Sequence, residues 1–500
     1  MAHTTHPDLP LTNATLPALA GRVAVPTYDR AALRPGLVHF GVGGFHRAHQ
    51  AVYLDELAER DVSSDWGITG VGLHNPAMSE VMKAQDCLYM VVARGPDEDR
   101  ARVVGAMREY LFGGESSEPV FDALVSPETR LVTLTITGSG YLIDPHTGEF
   151  DTDDENVAAD LEDPGNPDTV FGYLVESLDR RRRAGTPPFT VLSCDNMQHN
   201  GHAARTATVS LARLRDERLG DWVDRNVAFP GCMVDRITPH TTPEERDAIV
   251  ATFGVEDRWP VITEPFSQWV VEDRFCNERP PLDAVGVQFV DDVEPYELVK
   301  TRLLNGSHFA FAYLGYLAGY RLSSEVMADP VFHEYVATLM RDEVAPLLPQ
   351  PPGMDLAHYQ RTLLERFANP KIPDQLARLC RRGSQKMPMY VLPSIREARD
   401  RRRPHRLLTL SVAGWFRYLR GRDYAGEEVP VEGPMRDTLL PLAEEAGNDP
   451  RPLLDVAEVF GDLGKDPRFV AEVTEAVQAL REGPREAVTA YLAAAGEPGG

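Results

Sequence analysis

Short strand-like runs alternate with longer helix-like runs between Gly36 and Asp291, and this alternation restricts the fold more than any other feature of the sequence. The strand-like runs are apolar and rich in β-branched residues; they cover residues 37–43, 66–73, 88–94, 130–137 and 189–195. The helix-like runs carry apolar residues at helical spacing; they cover residues 50–60, 76–86 and 168–185. Strands that alternate with helices form a mostly parallel sheet with helices on both faces. The sequence therefore predicts an α/β domain here.

The chain changes character near residue 291, where strand signals become sparse and helical periodicity dominates. A chain of 500 residues also exceeds what one hydrophobic core usually supports. We therefore expect an α/β domain over residues 1–290 and a predominantly α-helical domain over residues 291–500.

The charge and the cysteines restrict the possible partners. A formal net charge of −25 argues against binding to nucleic acid, which needs a basic face. Two arginine-rich runs, residues 180–183 and 399–403, are interpreted as solvated helix ends. The cysteines are widely separated and lack the spacing of a zinc site, so we expect no metal and a reducing compartment. No secretory leader and no apolar run long enough to cross a bilayer is evident, so we expect a cytoplasmic protein without a membrane partner.

A glycine-rich turn follows the first predicted strand and reads Gly41-Val42-Gly43-Gly44-Phe45. Glycines at a strand-to-helix turn let the backbone approach a pyrophosphate, so the turn predicts dinucleotide binding in a Rossmann-like domain. His46 occupies the position of the third glycine of the usual pattern. The second strand ends in Gly72-Leu73-His74-Asn75, without the acidic residue that would favour NAD over NADP, so these residues leave the choice open. NAD is the expected cofactor, and NADP stays possible.

The apolar stretch from Val299 to Tyr313 also carries Lys300, Asn305 and His308. On an α-helix with about 100° between successive residues, these three side chains lie within one arc of less than half the circumference. Glu297 falls in the same arc. A buried ammonium is costly unless it is paired or its pKa falls. The stretch therefore predicts a buried helix whose polar stripe is either a site or a satisfied core network.

Five stretches resemble the polyol-specific long-chain dehydrogenase/reductase family, most closely its mannitol 2-dehydrogenase members, over roughly residues 35–480. The stretches are GVGGFHRAHQAVYLDEL (41–57), QDCLYMVV (85–92), FTVLSCDNMQHNG (189–201), EPFSQWVVEDRF (264–275) and VKTRLLNGSH (299–308). The last contains K-x4-N-x2-H, the catalytic signature of that family. The resemblance implies a zinc-free, NAD(P)-dependent oxidoreductase in which a lysine is the general acid/base.

The resemblance also implies roles for individual residues. Lys300 would accept the hydroxyl proton during polyol oxidation and return it during ketose reduction. Asn196 and Asn305 would donate amide N–H groups to the reacting oxygen as negative charge develops. His308 would position a substrate hydroxyl or the reacting oxygen. Glu297 would relay protons from Lys300 to solvent or only pair with it.

Three further residues match substrate-binding positions of the family: Asp235, Arg378 and Lys386. A salt bridge to Arg236 or a turn cap is the alternative for Asp235, and a solvated basic loop is the alternative for the two cations. The pair Asn200-Gly201 is read as either part of the site or a turn. Gly138 stands where relatives commonly carry an acidic residue, which weakens the transfer of one specific substrate.

The family implies the interconversion of a polyol and a ketose, with D-mannitol and D-fructose as the expected pair. A hexuronate reductase of the same family is the alternative, and it would need a cation such as Arg378, Arg382 or Lys386 for the substrate carboxylate. A non-catalytic nucleotide-binding sensor is a further alternative, which the presence of the lysine and both asparagines disfavours. Relatives imply a monomer or a weak homo-oligomer.

Overall fold

The computed structural model describes residues 8–144 and 147–495, and the chain divides into two compact units. The first unit extends to Glu294 and the second begins at Pro295. This division lies close to the predicted boundary at residue 291.

The first unit contains strands and helices in alternation. Its strands are β1 Leu9–Pro10, β2 Leu37–Phe40, β3 Ile68–Gly72, β4 Tyr89–Arg94, β5 Asp99–Val104, β6 Met107–Phe112, β7 Leu131–Leu134, β8 Thr190–Ser193, β9 Cys232–Asp235, β10 Val255–Glu256, β11 Val261–Thr263, β12 Gln268–Glu272 and β13 Gln288–Val290. Its helices are α1 Leu16–Leu19, α2 Gly44–Ala48, α3 Gln50–Glu59, α4 Pro76–Ala84, α5 Glu118–Val125, α6 Glu155–Glu162, α7 Val170–Ala184, α8 Asn200–Arg215, α9 Glu217–Asn226 and α10 Pro243–Phe253.

The central sheet has the order β6-β3-β2-β7-β8, and every neighbouring pair in it is parallel. Successive residues of β2 point to opposite faces, so that Leu37 packs in one hydrophobic cluster and Val38 in the other. Leu131 and Val132 of β7 divide in the same way. Both faces are covered, which is why these strands are apolar at consecutive positions. The predicted parallel α/β sheet is confirmed.

Two sequence interpretations need correction in this unit. The run 88–94 does form strand β4, but β4 belongs to a separate three-stranded sheet, where it is antiparallel to β5 and parallel to β11. The run 180–183 is not a purely solvated helix end, because Arg181 is buried. Its guanidinium donates to the carbonyl oxygens of Leu124 at 2.7 Å and Thr129 at 3.0 Å. Backbone acceptors there offset the cost of burying the charge.

The second unit is helical, and its described residues contain no strand beyond isolated bridges, which confirms the predicted helical character. From the junction onward the helices are α11 Glu294–Val299, α12 Gly306–Leu317, α13 Ser323–Ala328, α14 Pro330–Thr338, α15 Leu356–Phe367, α16 Leu376–Cys380, α17 Gly383–Tyr390, α18 Leu392–Asp400, α19 Arg406–Tyr418, α20 Arg436–Ala446, α21 Arg451–Leu454, α22 Ala457–Phe460, α23 Pro467–Ala479 and α24 Pro484–Ala495.

Helix α12 is buried along its whole length and is the central helix of this unit. The residues before it, Lys300–Asn305, form a π-helical turn that joins α11 to α12. The prediction of a regular α-helix is therefore wrong at this turn. Hydrogen bonding from residue i to i+5 widens the helix, so residues five apart lie one turn from each other. Lys300 and Asn305 are such a pair.

Candidate active site

The glycine turn follows β2 at the carboxyl end of the parallel sheet. Gly41 has φ +92°, and a Cβ there would lie 2.1 Å from the carbonyl oxygen of Thr135, so this position requires glycine. At Gly43 and Gly44 a Cβ would meet nothing closer than 3.6 Å. The backbone at Gly43 is therefore exposed, and the half-buried Gly44 has no neighbour closer than ordinary contact distance. Such a turn fits a pyrophosphate at the carboxyl edge of a Rossmann sheet.

His46 fills the place of the missing third glycine. Its imidazole is buried and stacks on the His39 ring of β2, with ring centroids 3.3 Å apart. Burial lowers the pKa of His39 to about 3 and holds the pKa of His46 well below its ordinary value, so both rings are neutral. The stacked pair packs the strand against the helix without the close backbone approach that glycine would allow.

The loop after β3 carries no carboxylate for a ribose. His74 and Asn75 are exposed, and the Asn75 side chain accepts the Ala77 N–H at 3.1 Å, which caps α4. Lys83 is exposed and pairs with Glu115 at 3.3 Å. Lys83, the cation nearest in sequence that could bind a 2′-phosphate, is thus already paired with a carboxylate.

Asp195 ties together the loops that follow β7 and β8. Its carboxylate accepts the N–H groups of Ile136 and Thr137 at 2.9 and 2.8 Å and the Tyr141 hydroxyl at 2.7 Å. Desolvation raises the pKa of Asp195. Asn196 follows directly and is exposed at this edge. Gly138 lies in the same loop with open space around its Cα, so a side chain would fit there.

The interpretation of Asn200-Gly201 as a turn is wrong, because both residues begin helix α8. Asn200 is fully buried, donates to the carbonyl oxygens of Asp195 and Cys232, and accepts the Cys232 N–H at 3.0 Å. A Cβ at Gly201 would lie 2.7 Å from the Pro230 backbone. These two residues hold the end of β8 against β9.

Asp235 is the last residue of β9 and is buried. The guanidinium of Arg236 donates to the carbonyl oxygens of Glu264 at 3.0 Å and Ala48, so backbone oxygens take its charge instead of Asp235. Burial lowers the pKa of Arg236 to about 10. The suggested Asp235–Arg236 salt bridge is therefore not formed.

Lys300 lies on the π-helical turn and is only 7% exposed. Leu303 and Leu304 of the same turn are buried, and Glu297 is buried one turn earlier. Asn305 is half-buried at the end of the turn. Arg302, the other cation of the turn, pairs with Glu397.

His308 is buried on α12 against aromatic side chains. Its ring centroid is 4.1 Å from that of Phe367 and 5.5 Å from that of Phe311. Nε2 of His308 lies 3.5 Å from Oδ2 of Asp374, a buried carboxylate that the sequence analysis did not single out. The i, i+4 spacing of Asp374 and Arg378, which is typical of ion pairs, was the available signal, although Asp374 precedes α16.

Arg378 and Lys386 lie on α16 and α17. Arg378 is mostly exposed and pairs with Oδ1 of Asp374, so the carboxylate contacts both His308 and Arg378. Nζ of Lys386 donates to the Leu379 carbonyl oxygen at 2.9 Å and lies 5.9 Å from the ring centroid of Phe309. Burial and the nearby Arg378 lower the pKa of Lys386 to about 8. Arg378 and Lys386 are therefore anchored side chains and not a fully solvated loop.

Neither a membrane span nor a metal centre is found in residues 8–144 and 147–495. No helix there is long and apolar enough to cross a bilayer. No group of three or more His, Cys, Asp or Glu side chains in this part of the chain could hold a metal ion.

Comparison with known proteins identifies two matching family domains and full-length relatives. The Rossmann domain of the mannitol dehydrogenase family matches residues 35–284, and its C-terminal domain matches residues 292–481. Mannitol 2-dehydrogenase of Aspergillus terreus is 47% identical over 450 residues, covering 88% of this chain and 89% of the relative. Mannitol dehydrogenase 2 of Saccharomyces cerevisiae is 46% identical over 452 residues, covering 89% and 90% of the two chains.

Two solved structures have the same fold over nearly the whole chain. Pseudomonas fluorescens mannitol 2-dehydrogenase, in a ternary complex with NAD and D-mannitol, is 42% identical with a TM-score of 0.84, covering 97% of this chain and 99% of that one. A D-sorbitol dehydrogenase in substrate-free form is 37% identical with a TM-score of 0.91, covering 96% and 100%. Together with the matched domains, these similarities establish that the chain belongs to the mannitol dehydrogenase family.

Proposed function

We propose that this protein is an NAD-dependent polyol 2-dehydrogenase that interconverts D-mannitol and D-fructose. The observation that carries the proposal is the burial of Lys300 on a π-helical turn that also presents Asn305. A buried lysine whose ammonium is poorly solvated is suited to exchange a proton near neutral pH. The relatives named mannitol 2-dehydrogenase support the choice of substrate.

Lys300 acts as the general acid/base in this proposal. During oxidation its neutral amine removes the proton from the reacting hydroxyl, and during reduction its ammonium returns that proton. Bound NAD supplies the hydride acceptor at its nicotinamide ring. Lys300 is buried together with the apolar Leu303 and Leu304 of the same turn, and burial favours the uncharged form of an amine.

The asparagine amides stabilise the oxygen on which negative charge develops. Asn305 lies five residues after Lys300, one π-helical turn along the backbone, which supports placing its amide beside the general base. Preorganised N–H donors of this kind lower the barrier to proton and hydride transfer. We assign Asn196 the same role on its family motif, and His308 the role of holding a substrate hydroxyl.

The cofactor assignment rests on the glycine turn. The exposed backbone at Gly43 and the absence of close neighbours at Gly44 fit a pyrophosphate, which backbone N–H groups bind well. Lys83 pairs with Glu115, and the exposed loop after β3 presents His74 and Asn75 to a 2′-phosphate but neither an arginine nor a lysine. These features support NAD over NADP, as does the NAD in the P. fluorescens relative.

The pairing of Arg378 favours a polyol over a hexuronate. A uronate carboxylate needs a cation whose charge is not already compensated. Arg378 is paired with the buried Asp374, and the ammonium of Lys386 has its pKa lowered to about 8. Both side chains still have N–H donors left for hydroxyl groups. Side chains whose charge is compensated but whose N–H donors remain available suit an uncharged, polyhydroxylated substrate.

The test is nicotinamide absorbance with purified protein and a matched panel of substrates. NADH and NADPH are each offered with D-fructose and D-fructuronate, and NAD is offered with D-mannitol and D-sorbitol. We expect NADH-dependent reduction of fructose, with mannitol oxidised in the reverse direction. Turnover of fructuronate alone would overturn the polyol assignment. Faster oxidation of D-sorbitol than of D-mannitol would replace D-mannitol with D-sorbitol as the proposed substrate, in keeping with the D-sorbitol dehydrogenase relative.

A further inference from the structure

We infer that Asp374 is a positioning residue for substrate binding, whose carboxylate orients His308 and Arg378 together. The inference rests on the proposed function, which places these two side chains at the substrate. Asp374 does not itself touch the reacting atoms in this scheme. Its role is to fix the direction in which two polar groups are presented.

One buried carboxylate joins two side chains that come from different helices. Asp374 is 5% exposed. Its Oδ2 lies 3.5 Å from Nε2 of His308 on α12, and its Oδ1 pairs with the guanidinium of Arg378 on α16. Loss of either neighbour would leave the charge of this buried carboxylate less compensated.

The backbone holds Asp374 in place independently of the side chains that it orients. Its carbonyl oxygen accepts the Ser323 N–H at 2.9 Å, and the Leu376 N–H donates to the Arg321 carbonyl oxygen at 2.9 Å. Leu322 and Gln375 form an antiparallel bridge between these bonds. The carboxylate is therefore attached to a segment clamped on both sides, which is what a supporting residue needs in order to fix its neighbours.

The contact with Nε2 selects the form of the His308 imidazole. A carboxylate facing Nε2 favours the tautomer with a proton on that nitrogen, which makes Nδ1 the acceptor of the neutral ring. In this tautomer His308 accepts a hydrogen bond from a substrate hydroxyl. The distance of 3.5 Å exceeds an ordinary hydrogen bond, and such contacts commonly shorten when substrate binds. The Phe367 ring, 4.1 Å away, restricts rotation of the imidazole.

Kinetics of single and combined variants test the positioning role. We expect Asp374→Ala to raise KM for fructose about tenfold or more, because misdirected binding groups are costly, while KM for NADH stays unchanged. Asp374→Asn should recover part of this loss, because its amide oxygen still accepts from Nε2. In a His308→Ala/Arg378→Ala background, Asp374→Ala should have little further effect. Full additivity in that background would overturn the inference.

Asp329→Ala is the matched control for a merely structural aspartate. Asp329 is also buried in the second unit and is bonded to an arginine, Arg485, at 2.8 Å. Its removal should lower Tm without raising KM for fructose. If Asp374→Ala behaves in the same way, Asp374 is a scaffold residue and the inference is wrong.

A second measurement does not depend on turnover and so separates failure of the inference from failure of the proposed function. Ring ¹⁵N shifts of ¹⁵N-histidine-labelled protein report tautomers, and His308→Ala assigns the signal. We expect the Nε2–H form in the unaltered protein and its loss in Asp374→Ala. The same tautomer in both proteins would overturn the inference, whether or not the protein reduces fructose. Absence of turnover with the expected tautomer would overturn only the proposed function.

Discussion

At the scale of single residues, each of the two units buries polar groups that have different functions. Lys300 and His308 are each 7% exposed, and burial of such groups is costly unless their surroundings compensate. Asp195, Asn200 and Asp374 provide compensation of another kind, because their side chains bond backbone groups or other polar side chains. Substitutions can therefore separate residues that act on substrate from residues that hold the site together.

Lys300→Ala is expected to lower kcat about thousandfold, because it removes the general acid/base. The dissociation constant of NADH should stay within about twofold, since the lysine acts on the proton and not on the pyrophosphate. Steady-state kinetics and cofactor fluorescence titration measure the two quantities. Lys465→Ala, at an exposed lysine of the same unit, should leave both unchanged. An unaltered kcat in Lys300→Ala would contradict the assignment of the base.

Two asparagines of the DNMQHN stretch should respond differently to replacement by alanine. Asn196→Ala should cost about a hundredfold in kcat with an unchanged Tm, as loss of a single oxyanion donor does. Asn200→Ala should instead lower Tm by several degrees, since it leaves buried backbone groups of Asp195 and Cys232 without partners at about 1–3 kcal/mol each. Asn305→Ala should behave like Asn196→Ala, with a lower kcat and an unchanged Tm. Thermal melts and turnover are measured on the same preparations. A lower Tm for Asn196→Ala together with a lower kcat at unchanged Tm for Asn200→Ala would contradict these roles.

At the scale of elements, helix ends and helix irregularities decide where charged groups lie. The π-helical turn at Lys300–Asn305 sets the directions of the lysine and the asparagine. A second π-helical turn, Leu339–Val344, carries the buried Glu343. Its carboxylate accepts the N–H groups of Leu407 and Leu408 at 2.8 and 2.9 Å and so caps the start of α19.

Glu343 should make stability depend on pH. Burial raises its pKa from 4.5 to about 7, so between these values the folded chain holds a proton that the unfolded chain releases. The free energy of unfolding therefore falls as pH rises through this window, by about 3 kcal/mol in total at about 1.4 kcal/mol per pKa unit. Glu343→Gln cannot ionise, so its Tm relative to the unaltered protein should rise from pH 5 to pH 8.

Melting curves across this pH range provide the check. Glu475→Gln is the matched control, because Glu475 is 59% exposed and its ion pair with Arg406 lies in solvent, where such pairs contribute little to stability. Its Tm profile should run parallel to that of the unaltered protein. A parallel profile for Glu343→Gln as well would mean that Glu343 ionises normally in the folded chain.

At the scale of the whole molecule, the net charge of −25 acts on an anionic cofactor. A strongly negative protein repels NADH over distances comparable to the Debye length, which shrinks from about 30 Å at 0.01 M to about 8 Å at 0.15 M ionic strength. The association rate of NADH is thus expected to rise with added salt over this range. Stopped-flow binding measures it, and KM for uncharged fructose at saturating NADH is the control. A falling rate would indicate that a local positive field outweighs the global charge.

The sequence by itself determined the features that depend on neighbouring residues. Short apolar, β-branched runs predicted the parallel strands, the glycines at 41, 43 and 44 predicted the dinucleotide turn, and the spacing of Lys300, Asn305 and His308 matched the family signature of the candidate site. Such patterns are local, because side-chain direction repeats with the helix or strand period.

Only the tertiary structure decided which distant groups compensate one another. The sequence does not reveal that the Arg181 guanidinium donates to backbone carbonyl oxygens or that Asp374 lies beside His308. It also does not reveal that β4 belongs to a separate sheet. The sequence did not predict the π-helical turn at Lys300, because residue propensities distinguish a π-helical turn poorly from an α-helix. Packing around the fully buried α12 constrains the helix there, because a Cβ at Gly306 would lie only 3.0 Å from the Tyr390 carbonyl oxygen. Local pattern specifies the elements, whereas burial and pairing of polar groups, which involve residues far apart in the chain, specify the site.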